Sequence, residues 1–350
     1  MSSEGRIVAR CAGAGTGART VEVEVELPVG VRPVVEEYLS GFVTTGPAGA
    51  TGHAGTTGPT GEAEPADGRW RVALAVRPDG AHPSAAAAHY GDYDDTDVWR
   101  EVDGAHRSVR LTASAASAYA PVHVVRIVRT LLRLGAAEQD SSALFLHAGM
   151  VAWRGHGIAF VGGKRSGKTS TVFAATAAGA HFVSNDDLSL HEGPDGPTGV
   201  GWPRSVSVRL DTVEPLGIAL PAAPVHPANA HRSEARLLMP HEIGGMFDGR
   251  TAPKVPLRAV VFPSFTADGA AALTRLTPDE ATERLLANLL APPVKDDELT
   301  SWFKLPDAAE LGARARAVAA RVPAFELRQR LDHLGRRAEL ARLLDGAVAR

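Results

Sequence analysis

Val21-Glu22-Val23-Glu24-Val25-Glu26-Leu27 alternates apolar and acidic positions without interruption. That two-residue period predicts a strand with one buried face and one wet face. Trp70-Arg71-Val72-Ala73-Leu74-Ala75-Val76 and Ser108-Val109-Arg110-Leu111 predict two more. Between the first two, glycine recurs at every third position from Gly46 to Gly61. So few triplets cannot hold a triple helix, and the expectation is a disordered loop over 45–68. Asp92-Tyr93-Asp94-Asp95-Thr96-Asp97 lacks the Gly and closing Glu of a calcium-binding loop and reads as a solvated turn.

The period then changes. From Pro121 to Ala136, Val125, Val128 and Leu132 share one helical face and Arg126, Arg129 and Arg133 another. The arginine stripe reads as a solvated face, with an acidic substrate or partner as the sharper option. The densest apolar stretch follows: a strand from Leu144 to Val151, a tight turn at Arg154-Gly155-His156-Gly157, and a strand from Ile158 to Val161. A glycine-rich loop comes next, then a helix from Ser170 to Ala178, a stop at Gly179, and a strand from His181 to Ser184. Shorter strands are expected at Ser205–Leu210, Arg236–Met239, Arg258–Phe262 and Val322–Leu327. Thr277-Pro278-Asp279-Glu280 is a capping box that should open a helix running to about Leu290. An Arg/Ala/Leu-rich helix closes the chain. The fold class is α/β, with an N-terminal β-rich module over 1–118 and a second domain over 119–350.

Composition narrows the partners. A net charge of −3 over 350 residues gives no basic excess, which argues against nucleic acid and an anionic membrane surface. Cys11 is the only cysteine, so neither an internal disulfide nor a cysteine metal cluster is expected. No apolar run approaches a membrane span and the first residues lack a signal-peptide core, so the expected location is the cytoplasm.

Chemistry enters at Gly162-Gly163-Lys164-Arg165-Ser166-Gly167-Lys168-Thr169, which fits the phosphate-loop pattern at every fixed position. Backbone N–H groups of such a loop wrap a nucleotide's phosphates, and the helix beginning near Ser170 adds its positive end. Lys168 is expected on the β- and γ-phosphates, and the Thr169 hydroxyl on Mg²⁺. The chain has five lysines against 32 arginines, and two of the five, Lys164 and Lys168, lie in this loop. Lys164 and Arg165 either strengthen triphosphate binding or point to solvent. Phosphoryl transfer also needs a carboxylate and positive charge for the transition state. Asn185-Asp186-Asp187, at the end of the next strand, offers the acid, and Arg204 or Arg209 the charge. No H-E-x-x-H, C-x-x-C or G-x-S-x-G occurs.

Leu146-His147-Ala148-Gly149-Met150-Val151, then Gly162 to Thr169, then Gly179-Ala180-His181-Phe182-Val183-Ser184-Asn185-Asp186-Asp187 resembles HPr kinase/phosphorylase and its wider bacterial relatives. Element order matches over about 120–330, and the specific motif over about 144–190. The resemblance implies a P-loop kinase core of the HPr-kinase type. It also implies ATP- and Mg²⁺-dependent phosphorylation of a hydroxyl, and a homo-oligomer. Under it, Asp186 is the base or metal ligand with Asp187 as its alternate, and His147 orients that aspartate. The family's first aspartate falls on Asn185 here, and the Arg-Gly-Leu-Gly segment tied to the reverse reaction is absent. The acceptor is a serine of a small protein or peptide, as in natural-product biosynthesis, or a small molecule. The alternative is a nucleotide-binding regulator or ATPase switch without an acceptor, which Asn185 keeps open.

Overall fold

Four strands of this chain run in the same direction and end on one side of one sheet, and that alignment creates the site. In a computed structural model, residues 4–11, 20–43, 69–77, 87–90, 97–115, 117–193, 195–222 and 225–349 are described. The loop expected at 45–68 and most of the acidic turn at 92–97 lie outside them. The fold is mixed α/β, in two compact units.

The first unit holds residues 4–11, Thr20–Gly135 and Asp296–Phe303. Its strands are β1 (Glu4–Cys11), β2 (Val21–Pro28), β3 (Trp70–Arg77), β4 (Ala88–His89), β5 (Val98–Asp103) and β6 (Ser108–Ser114), in the order β1-β2-β3-β6-β5-β4. The alternation read in β2 is realised: Val21, Val23, Val25 and Leu27 are buried. On the wet face Glu22, Glu24 and Glu26 pair with Arg6, Arg10, Arg69 and Arg71. The unit also carries α1 (Arg32–Tyr38), most of α2 (Ala120–Gln139) and the short α7 (Asp297–Thr300). The arginine stripe of α2 is not a solvated face. Arg126 and Arg129 are half-buried and Arg133 is buried, at 4% exposure. Arg126 stacks over the Tyr90 ring, 5.4 Å from its centroid. Long arginine stems pack like apolar groups, so the helical period places a residue on a face without saying whether that face meets water.

The second unit, Ala136–Lys295 and Lys304–Arg350, is built on the remaining strands. They are β7 (Leu144–Leu146), β8 (Ala148–Trp153), β9 (His156–Val161), β10 (His181–Ser184), β11 (Leu188–Gly193), β12 (Gly196–Gly201), β13 (Val206–Arg209), β14 (Ala235–Leu238), β15 (Lys254–Phe265), β16 (Ala272–Arg275) and β17 (Ala324–Gln329). β8 and β9 form an antiparallel hairpin, turned by left-handed Arg154 and Gly155. β15 is parallel to β9 and to β17, and β10 is antiparallel to β8. Hence β9, β10, β15 and β17 share a direction, and β8 starts at the end where they finish.

This sheet is apolar on both faces, as a parallel core requires. Ile158, Phe160, Val261 and Phe325 face a cluster with α3 (Lys168–Ala177), α4 (Leu210–Leu216), α5 (Pro240–Met246) and α9 (Arg337–Val348). Ala159, Val161, Val260 and Phe262 face the other, with α6 (Pro278–Leu286) and α8 (Ala308–Arg321). The Thr277/Glu280 capping box forms as read, although its helix ends four residues short of the expected Leu290. The single expected strand from Leu144 breaks at His147, where β7 pairs with β11 and β8 with β9. No helix among the described residues is long and apolar enough to cross a membrane.

Candidate active site

The phosphate loop leaves the C-terminal end of β9 and enters α3 at Lys168. Gly167 caps the helix at φ +98°, a left-handed conformation open to glycine at little cost. A Cβ there would also strike the Phe265 ring at 2.7 Å, and one at Gly162 would meet Ser166 Oγ at 2.5 Å. Two of the motif's glycines are thus required by backbone geometry and close approach. Lys164 and Arg165 are exposed, whereas Lys168 is buried.

Lys168 Nζ donates to the carbonyls of Gly162 (2.8 Å) and Gly163 (2.9 Å). It also lies 3.7 Å from Asp186 Oδ1. Burial pushes the Lys168 ammonium down from its ordinary value, and Asp186 opposes that. Thr169 is half-buried in the first turn of α3, and the buried Ser170 turns its hydroxyl toward Thr212, at 3.5 Å.

Asp186 follows β10 and sits at φ +62°. Asp and Asn enter this left-handed region more readily than other L-residues. His147 Nε2 approaches Asp186 Oδ1 to 3.3 Å from the break between β7 and β8. Burial raises the Asp186 carboxyl, but the His147 hydrogen bond and the Lys168 and Arg204 charges outweigh it, leaving it below its ordinary value. Of the two arginines considered, Arg204 is the one whose charge acts on this carboxylate. Arg209 is exposed and forms a forked pair with Asp211.

The Asp187 carboxylate is buried, and the residue's backbone carbonyl accepts from Ser184 Oγ and from Trp202 N–H. The Trp202 bond tethers the segment that carries Arg204 to the acidic turn. Gly149 makes room for this turn. A Cβ on it would lie 2.7 Å from Val172 Cγ2 and 3.1 Å from the Ser184 carbonyl.

Behind the turn lies a buried chain that sequence reasoning missed. Trp202 Nε1 donates to Ser189 Oγ (2.9 Å), Ser189 Oγ meets His191 Nε2 (2.7 Å), and His191 Nδ1 meets Asp140 Oδ2 (2.7 Å). An indole N–H only donates, so the arrangement matching every proton has Ser189 donating to Nε2 and Nδ1–H donating to Asp140. Burial raises the Asp140 carboxyl, yet the His191 and Ser142 hydrogen bonds bring it down to about 2. Ser189 and His191 stand two apart on a strand, the spacing that puts them on one face, and that was the available signal.

The donor set suits a phosphate group. The loop combines a helix N-terminus, a buried ammonium and a buried Ser166 Oγ without a hydrogen-bond partner. No group of three or more His, Cys, Asp or Glu side chains that could hold a metal occurs among the described residues. A Mg²⁺ carried by phosphates does not need such a cage; one or two protein oxygens suffice, as Thr169 and Asp186 would supply.

No protein-family model matches the chain, and no curated protein matches it. Among solved structures, the Hpr(Ser) kinase/phosphatase from Coxiella burnetii is similar at 12% identity and a TM-score of 0.26. The match covers 57% of this chain and 95% of that one.

Proposed function

We propose that this chain is an ATP- and Mg²⁺-dependent kinase that transfers the γ-phosphoryl group to a hydroxyl. One observation carries the proposal: a single carboxylate, Asp186, lies beside the phosphate loop within reach of both Lys168 Nζ and His147 Nε2. Bound ATP supplies the phosphoryl group, and Mg²⁺ offsets its charge. Lys168 and the loop N–H groups hold the phosphates, and Thr169 and Asp186 are the oxygen ligands for the metal. Asp186 also receives the acceptor's hydroxyl hydrogen, with His147 fixing its orientation. Its lowered pKa makes it a weak base, but a loose phosphoryl-transfer transition state needs an oriented carboxylate more than a strong one. Arg204 adds positive charge on the same side. The acceptor is a serine of a small protein or peptide, or a small molecule.

The test is incubation with γ-labelled ATP, Mg²⁺ and size-fractionated extract of the source cells, beside Asp186→Asn. Label entering a protein, peptide or metabolite fraction, and lost in the variant, supports transfer and identifies the acceptor class. Label reaching only free phosphate, equally in both proteins, overturns the kinase reading in favour of a nucleotide switch.

A further inference from the structure

We propose that the base of the bound nucleotide stacks on Phe265, on a platform at the C-terminal ends of β15 and β17. This rests on the nucleotide-binding part of the reading above and not on phosphoryl transfer. The first observation is directional. Asp186 follows β10, which lies beyond β8 on one side of β9, whereas β15 and β17 lie on the other side. A triphosphate is an extended group. With its terminal phosphate toward Asp186, His147 and Arg204, its nucleoside end points toward β15 and β17.

The second observation is where the apolar exposure falls. Along β15 and β17, Val260, Val261, Phe262, Phe325 and Leu327 are all buried. Phe265 breaks the pattern at the loop end, with 40% exposure. Its register partner is Gln329, and two residues further on Leu331 is 51% exposed. Isolated exposed side chains are ordinary, but these two stand at the same end of adjacent strands, and Phe265 lies against the phosphate loop.

The third observation is contact with the loop itself. The Phe265 ring packs so closely on Gly167 that a Cβ there would overlap it. The platform is also held firmly. Thr266 N–H donates to the Gln329 carbonyl (3.0 Å), and Gln329 Nε2 donates to Thr171 Oγ1 on α3 (2.8 Å). A partly open ring fixed against the phosphate cradle is what a purine, a large flat π-surface, stacks on. Stacking tolerates either purine, and pyrimidines should bind more weakly.

The experiment is calorimetric titration of ATP, CTP and inorganic tripolyphosphate into the full chain, using wild type, Phe265→Ala, Phe265→Trp and Lys168→Ala. Phe265→Ala should weaken ATP by about tenfold and leave tripolyphosphate unchanged. Phe265→Trp should keep ATP affinity and show indole quenching with ATP but not with tripolyphosphate. Equal loss of ATP and tripolyphosphate in Phe265→Ala would mean the ring only supports the loop, and the proposal would fall. Unchanged ATP affinity would also sink it. Wild type binding neither probe, or Lys168→Ala binding both normally, would instead overturn the nucleotide-site reading. Intact, Phe265-dependent ATP binding without phosphoryl transfer would overturn only the kinase assignment.

Discussion

His147 Nε2 and Asp186 Oδ1 stand 3.3 Å apart although 39 positions separate the residues, because β8 begins at the end of the sheet where β10 finishes. Neither residue depends on a long loop for its placement.

Asp186→Asn should leave the protein folded and able to bind ATP, since asparagine also accepts a left-handed backbone. Phosphoryl transfer should fall by about two to four orders of magnitude, the usual contribution of a positioned proton acceptor. Circular dichroism, calorimetric binding and the labelled-ATP assay check the three parts.

His147→Ala should shift the acid side of the activity profile. In the intact site the Asp186 carboxyl lies below its ordinary value, with the His147 hydrogen bond opposing burial. The carboxylate is therefore ionised at neutral pH, and its function is lost only as pH falls through that lowered value. Removing His147 lets the value rise, so the acid limb should move to higher pH. A carboxyl-carbon NMR titration of Asp186 checks the same shift without any acceptor.

Gly149→Val should cost about 1–3 kcal/mol of stability, because its branches would press on Val172 and on the Ser184 carbonyl. Phosphoryl transfer should fall with it, since Ser184 leads into the Asp186 turn. Gly245→Ala is the control: nothing lies within 4 Å of a Cβ at that helical position, so stability should hold or rise slightly. Thermal unfolding of the two variants separates crowding from the general effect of replacing glycine.

Asp140 should make the second unit acid-sensitive in a defined window. Its folded value is about 2, against 3.8 ordinarily. Its contribution is present in full above the ordinary value and disappears as pH falls toward the folded one, about 2 kcal/mol in all. Asp140→Asn should lower stability at neutral pH and flatten the decline between those values. Urea unfolding followed by tryptophan fluorescence at several pH values checks it, with Trp202 beside the network as one reporter.

The parts of the site legible in the sequence were those set by backbone demands. Gly162 and Gly167 are forced by loop geometry, so a motif captures them. Asp186 could be found because it ends a strand whose direction is fixed by the hairpin and helix before it. Other features left no such mark. Gly196-Pro197-Thr198-Gly199-Val200-Gly201 reads as a string of breakers, yet it is β12. Its glycines are needed because the Met150 side chain crowds Gly199 and the Val183 carbonyl crowds Gly201. Arg133 was assigned to water because hydropathy alone cannot distinguish an arginine that is buried. Phe265 fell outside the strand expected at Arg258–Phe262, since periodicity does not tell how far past Pro263 the strand continues or where a sheet stops being covered.

For the proposed kinase, the left-handed backbone at Asp186 limits how transfer activity can be lost over time. A substitution there by most residues would strain the turn and weaken the fold, at about 1–2 kcal/mol. Asn and Gly are the inexpensive exits. Descendants that abandon phosphoryl transfer but retain the scaffold should therefore be marked by Asn or Gly at this position, so its identity can sort active from silenced copies before any assay is run.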